Sequence, residues 1–114
     1  MNITKKQIEQ AHERIKQFIH HTPVLTSATL NRISGCELFF KCENFQKIGA
    51  FKIRGAMNAV LSLPKDKLIN GIATHSSGNH AQAIAYAAMQ VGTKAFIVMP
   101  DNSPKVKVDA VRGY

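Results

Sequence analysis

The chain has no apolar run approaching the length of a membrane span, which argues against a spanning helix. Its opening, Met1-Asn2-Ile3-Thr4-Lys5-Lys6, is followed by no apolar core and no small-residue cleavage site, so no secretory leader is expected. Cysteine is scarce: Cys36 and Cys42 alone flank an apolar run. A disulfide-stapled secreted scaffold is therefore not expected, and two buried free thiols are. A zinc site needs further ligands, and the spacing of His75 and His80 to the cysteines matches no usual pattern, so no metal site is assigned. Acidic residues are few, with 7 Asp and Glu against 15 Lys and Arg, a net charge of +8. That balance raises the question of a nucleic-acid partner. The basic residues are scattered, however, with no basic run interleaved with aromatics. There is no internal repeat and no low-complexity tract. These exclusions leave a globular chain, 45% apolar, read as cytoplasmic, without a nucleic-acid or membrane partner.

The patterning predicts a helix from Thr4 to about Ile19, with Ile8, Ala11, Ile15 and Phe18/Ile19 in one stripe. Thr4 and Gln7 fit a capping box. Val24-Leu25-Thr26 reads as a short strand, Ser27 to Ile33 as a short helix stopped by Ser34-Gly35, and Glu37 to Cys42 as a strand. A loop leads to a helix running from Phe51 to about Leu63, and Pro64 breaks it. Gly71 to Thr74 is a strand and Ser76 to His80 a polar loop. A helix follows from Ala81 to the stop at Gly92. Ala95 to Met99 is apolar throughout, as in a parallel strand covered on both faces. Lys105 to Arg112 is a last helix. Strand alternating with helix predicts an α/β fold, an open and mainly parallel sheet with flanking helices and right-handed crossovers. The final helix has no strand after it, so the fold is expected to be incomplete in this chain.

Two short segments carry the chemistry. The first, Cys42 to Ala56, centres on Lys52, placed at a helix start by the spacing of Ile53, Ala56, Met57, Val60 and Leu61. The positive end of the helix dipole and nearby Arg54 both disfavour a protonated amine there, and Phe51 adds desolvation. A lysine so disposed suits Schiff-base chemistry. Local chemistry taken alone nevertheless favours an ordinary solvated lysine. The second segment is Ser76-Ser77-Gly78-Asn79-His80, at the carboxyl end of a strand and the start of a helix. Ligands of open α/β sheets bind at that edge, and a helix start favours an anion. The competing reading is an ordinary N-cap, with Ser76 or Ser77 bonding the first turn. His75 and His80 are expected to be structural.

Taken together, Glu43-Asn44-Phe45-Gln46, Gly49-Ala50-Phe51-Lys52-Ile53-Arg54-Gly55-Ala56 and Thr74-His75-Ser76-Ser77-Gly78-Asn79-His80-Ala81-Gln82 resemble the threonine dehydratase and serine racemase group. That group comprises pyridoxal-phosphate enzymes of the tryptophan-synthase-β-like fold. The resemblance extends from His21-Thr22-Pro23 to Val98-Met99-Pro100. It implies that Lys52 holds pyridoxal 5'-phosphate as a Schiff base and removes the substrate α-proton. It also implies that Phe51 packs on the pyridine ring and that Asn79 bonds the ring's phenolic oxygen. Ser76, Ser77, Gly78, Asn79 and His80 would grip the substrate carboxylate. Ser77 matches the hydroxyl that racemising members place on the opposite face, although dehydratases also carry serine there.

The implied activity is a threonine/serine ammonia-lyase, with β-elimination giving a 2-oxo acid and ammonia. Serine racemase or hydroxyaspartate dehydratase is the alternative within the group. A non-catalytic remnant or a basic nucleic-acid-binding module is the alternative outside it. The substrate would be a small hydroxy amino acid and the full-length protein a homo-oligomer. By the same resemblance, residues 1–63 begin the large cofactor domain and residues 70–114 belong to the small domain. The glycine-rich phosphate loop, the partner of the pyridine nitrogen and the divalent-cation site of some members would lie beyond Tyr114. The isolated chain is accordingly expected to bind the cofactor poorly and to turn over little.

Overall fold

A computed structural model describes residues 2–114. Helix α1 (Lys5–Ile15) starts at the expected capping box. The Gln7 amide donates to the Thr4 hydroxyl (3.3 Å), and the Thr4 amide donates to Gln7 Oε1 (2.8 Å). The α-helix ends four residues earlier than its apolar stripe predicted, giving way to a 3₁₀ turn at Lys16–Phe18. The cause is a competing partner. The His20 amide donates to Gln46 Oε1 (2.7 Å), so the chain is already extended at Ile19.

Strand β1 (Val24–Leu25) pairs antiparallel with β2 (Phe40–Lys41). Between them lies α2 (Ala28–Ser34), whose Leu30 amide donates to the Ser27 cap and which Gly35 closes at φ 70°. The strand predicted from Glu37 to Cys42 shrinks to two residues. The Leu38 amide donates to Asn31 Oδ1 (2.9 Å), a side chain of α2 that takes the place of a strand neighbour.

Helix α3 (Lys52–Leu61) begins at Lys52. Pro64 then opens a single helical turn, α4 (Lys65–Leu68), instead of only breaking the chain. Strand β3 (Ile72–His75), helix α5 (Asn79–Val91) and strand β4 (Ala95–Val98) make a parallel crossover unit, in register from Ile72 opposite Ala95 to His75 opposite Val98. Helix α6 (Lys105–Arg112) packs on α5.

The core lies between α3 and α5. Ile53, Met57 and Val60 recur on one face of α3 and are fully buried. They meet Ala83, Ile84 and Ala87 of α5, with Ile15 of α1 alongside. The alanines of α5 let the helices approach closely and also let α5 lie across β3 and β4. Only that face of the sheet is covered. Phe96 and Val98 are 54% and 69% exposed, so β4 alternates where the apolar run predicted burial on both sides. The reason is that α6 follows α5 and does not cross the sheet. Cys36 and Cys42 are free thiols, but Cys36 is exposed, not buried as expected. No helix among the described residues is long and apolar enough to cross a membrane.

Candidate active site

The loop from Cys42 to Phe51 delivers Lys52, and it is held from behind by residues 20–23. The Cys42 amide donates to the Pro23 carbonyl (2.9 Å). Gln46, 3% exposed, accepts from the His20 amide and donates to the His20 carbonyl (2.8 Å). Glu43 is the densest junction. Arg54 grips it with a two-pronged fork, Nε to Oε2 and Nη2 to Oε1, both 2.8 Å. The Thr22 hydroxyl donates to Oε1 at 2.6 Å, and Lys41 Nζ donates to the Thr22 carbonyl at 3.1 Å. Charge-assisted bonds of this kind are the strong ones. The Arg54 guanidinium, helped by the Thr22 hydroxyl, holds the Glu43 carboxyl down at about 2, and Glu43 in turn raises Arg54.

This network corrects one expectation. Arg54 is not a free second cation beside Lys52, because its charge is matched by Glu43. The end of the loop is tightly wound. Ile48 has φ 61° and Gly49 φ 66°, and a β-branched residue in the left-handed region is strained. Packing of Ile48 against the core holds it there, and Lys47 Nζ donates to the Tyr86 hydroxyl of α5 (2.9 Å).

Lys52 is the first residue of α3, and its Nζ lies 4.9 Å from the centroid of the Phe51 ring. Both side chains are exposed. Phe51, Lys52, Gly55 and Ala59 form one wall of a cleft of about 320 Å³, and His80 and Ile84 of α5 form the other. Gly55 carries no side chain to fill this space. His80, expected to be structural, is exposed and faces the same cleft as Lys52. A larger concavity of about 420 Å³, lined by Val60, Leu63, Leu68 and Val91 among others, includes none of the candidate residues.

The second loop leaves the carboxyl end of β3. The Ser76 amide donates to the Val98 carbonyl (3.0 Å), and the Ser76 hydroxyl accepts from the Gly78 amide (3.2 Å). The N-cap of α5 is Gly78, with no side-chain cap. The ordinary N-cap reading therefore fails: Ser76 spends its hydroxyl inside the loop, and the first-turn amides of α5 are not capped by either serine. Those amides favour an anion. Ser77 and Asn79 are exposed. Ser76, Ser77, Gly78 and Asn79 do not line the Lys52 cleft itself, which reaches this loop only through His80.

Glu43, Thr22 and Gln46 are the supporting residues that sequence reasoning missed. Glu43 and Gln46 stand in the recognised motif, but their partners lie more than twenty positions upstream or inside the next helix, where no local pattern points to them.

An amine beside an aromatic ring thus opens onto a cleft whose far wall is the first turns of α5, an arrangement suited to an aldehyde that carries a ring. The profile of the pyridoxal-phosphate dependent enzyme family matches residues 15–114, and the chain belongs to that family. It is 52% identical over 112 residues to a serine racemase of Dictyostelium discoideum, covering 98% of this chain and 35% of that protein. The crystal structure of serine racemase from that organism superposes with a TM-score of 0.93 over 98% of this chain and 37% of its own. The chain is 56% identical over 104 residues to a beta-hydroxyaspartate dehydratase of Paracoccus denitrificans, covering 91% and 33%. The crystal structure of a threonine deaminase from T.th. matches at TM-score 0.86 and 41% identity, covering 98% and 35%.

The chain thus spans about a third of the length of these relatives. The fold is that of the predicted group, as a partial α/β domain. The relatives fit the alternative raised from the sequence, serine racemase or hydroxyaspartate dehydratase, better than the main reading of threonine dehydratase.

Proposed function

We propose that these residues are the N-terminal third of a serine racemase-type enzyme that binds pyridoxal 5'-phosphate and acts on a small hydroxy amino acid. The observation that carries this reading is the 52% identity to a serine racemase over nearly the whole chain, loop 76–80 included. Hydroxyaspartate dehydratase is the second reading, favoured by the 56% identity to such an enzyme.

Lys52 would hold the cofactor, with Phe51 against its ring and Asn79 bonding a ring oxygen. The donor set suits the group: an amine for an aldehyde, a ring for a ring, and an amide side chain for an oxygen. The bound cofactor supplies an electron sink for the charge left when the α-proton departs. Lys52 would take that proton at Nζ. The Ser77 hydroxyl would return a proton from the opposite face, which inverts the centre. Ser76, Gly78 and His80, with the uncapped amides of α5, would orient the substrate carboxylate. Return of the proton gives racemisation, and loss of the β-hydroxyl as water gives elimination to a 2-oxo acid and ammonia. The two outcomes share every residue up to that branch.

The test is the complete protein, loaded with cofactor and offered L-serine, D-serine, L-threonine and 3-hydroxyaspartate. Conversion of L-serine to D-serine supports racemisation. Ammonia release from hydroxyaspartate without inversion of serine would transfer the assignment to the dehydratase.

A further inference from the structure

β3 and β4 are parallel neighbours, so the loops leaving their carboxyl ends lie side by side. The first is the polar loop 76–78, and the second leads through Pro104 into α6. Lys107, in the first turn of α6, is half-buried, whereas Lys105 and Val106 are exposed. Its side chain reaches the polar loop: a methyl group built on Gly78 would stand 3.5 Å from Lys107 Nζ. The ion pairs among the described residues engage Lys5, Lys16 and Arg54, and none engages Lys107. An unpaired ammonium therefore lies over a loop whose Ser76, Ser77, Gly78 and Asn79 carry no formal charge. At that loop the α5 amides supply partial positive charge only.

We propose that Lys107 is the counter-charge for the substrate carboxylate at loop 76–80, a specificity residue that selects amino acids over amines lacking the carboxylate. The inference rests on the proposed reading of that loop as the carboxylate grip. The ammonium stands beside Gly78, the N-cap residue of α5, and so close to the helix start from a second element. A carboxylate seated there gains a charge-assisted hydrogen bond that a neutral group does not.

The experiment uses the complete protein loaded with cofactor and follows the change in cofactor absorbance on titration with L-serine or with 2-aminoethanol, its analogue without the carboxylate. Lys107→Met keeps most of the aliphatic stem and removes the charge, and Lys107→Arg keeps the charge. We expect K107M to weaken serine binding about tenfold, equivalent to about 1.4 kcal/mol, with 2-aminoethanol affinity unchanged within about twofold. K107R should restore most of the serine affinity. Equal losses for both ligands, or no loss for serine, would overturn the inference. Where K107M does not fold, K107Q gives the same comparison. A wild-type protein with no cofactor absorbance would overturn the functional reading together with this one, whereas a normal absorbance with unchanged serine affinity in K107M would overturn this one alone.

Discussion

Replacing Glu43 by Gln tests whether the loop in front of Lys52 is held by a charge network or only by chain connectivity. In the wild type the carboxylate accepts two bonds from Arg54 and one from Thr22. Its pKa falls from an ordinary 4.5 to about 2. At about 1.36 kcal/mol per pKa unit, that drop corresponds to about 3.4 kcal/mol as an upper bound. The Arg54 and Glu43 side chains are 27% and 20% exposed, so solvent screens part of the interaction. About 2 kcal/mol is the expected remainder. Because the folded carboxyl titrates below its unfolded value, this contribution is complete above about pH 4.5 and is lost as pH falls towards 2. Urea denaturation of the chain at pH 7 should therefore show an E43Q midpoint lower by about 1 to 2 M, taking a slope of about 1–2 kcal/mol per M. At pH 3 the gap should narrow. An E43Q midpoint within about 0.3 M of wild type at pH 7, or a gap that widens on acidification, would refute the reasoning.

Gly71 has φ 84°, and an added Cβ would stand 2.7 Å from the Phe96 ring and 2.9 Å from the Lys94 carbonyl, so Gly71→Ala should cost about 2–4 kcal/mol in thermal or urea unfolding. Ser77→Ala in the complete protein should lower serine racemisation at least a hundredfold while leaving the cofactor absorbance intact, the typical weight of one acid–base group. Polarimetry with an ammonia assay separates the two products. The isolated 114-residue chain should show little cofactor absorbance at micromolar concentration, and a full band with ammonia release would contradict the expectation that the remaining phosphate contacts lie elsewhere.

The parts of the fold that were legible are those set by neighbours in sequence. Thr4 and Gln7 form their box, Gly92 closes α5 at φ 70°, and Lys52 stands at the start of α3, because each depends on residues within one turn. The parts that were not legible depend on distant partners. The end of α1 is decided by Gln46, twenty-six positions after His20, and the shortening of β2 by Asn31. Ser76 fitted a cap pattern, yet its hydroxyl bonds Gly78, because β3 runs one pairing further than expected into Val98. The continuous apolar run of β4 suggested two covered faces, but an apolar strand records what a face is suited to pack against, not what packs on it in this chain. For the site, the motif residues were visible, whereas the Glu43 and Arg54 fork and the approach of Lys107 to Gly78 needed coordinates.

The central claim is that Lys52 is the residue that holds the cofactor. Borohydride reduction of the cofactor-loaded complete protein, followed by digestion and mass spectrometry, tests it most directly. The account predicts a single pyridoxyl-modified peptide with the mass increment on Lys52, lost in Lys52→Ala. A stoichiometric label on another lysine, or an unlabelled Lys52 in a protein that turns over serine, would contradict it.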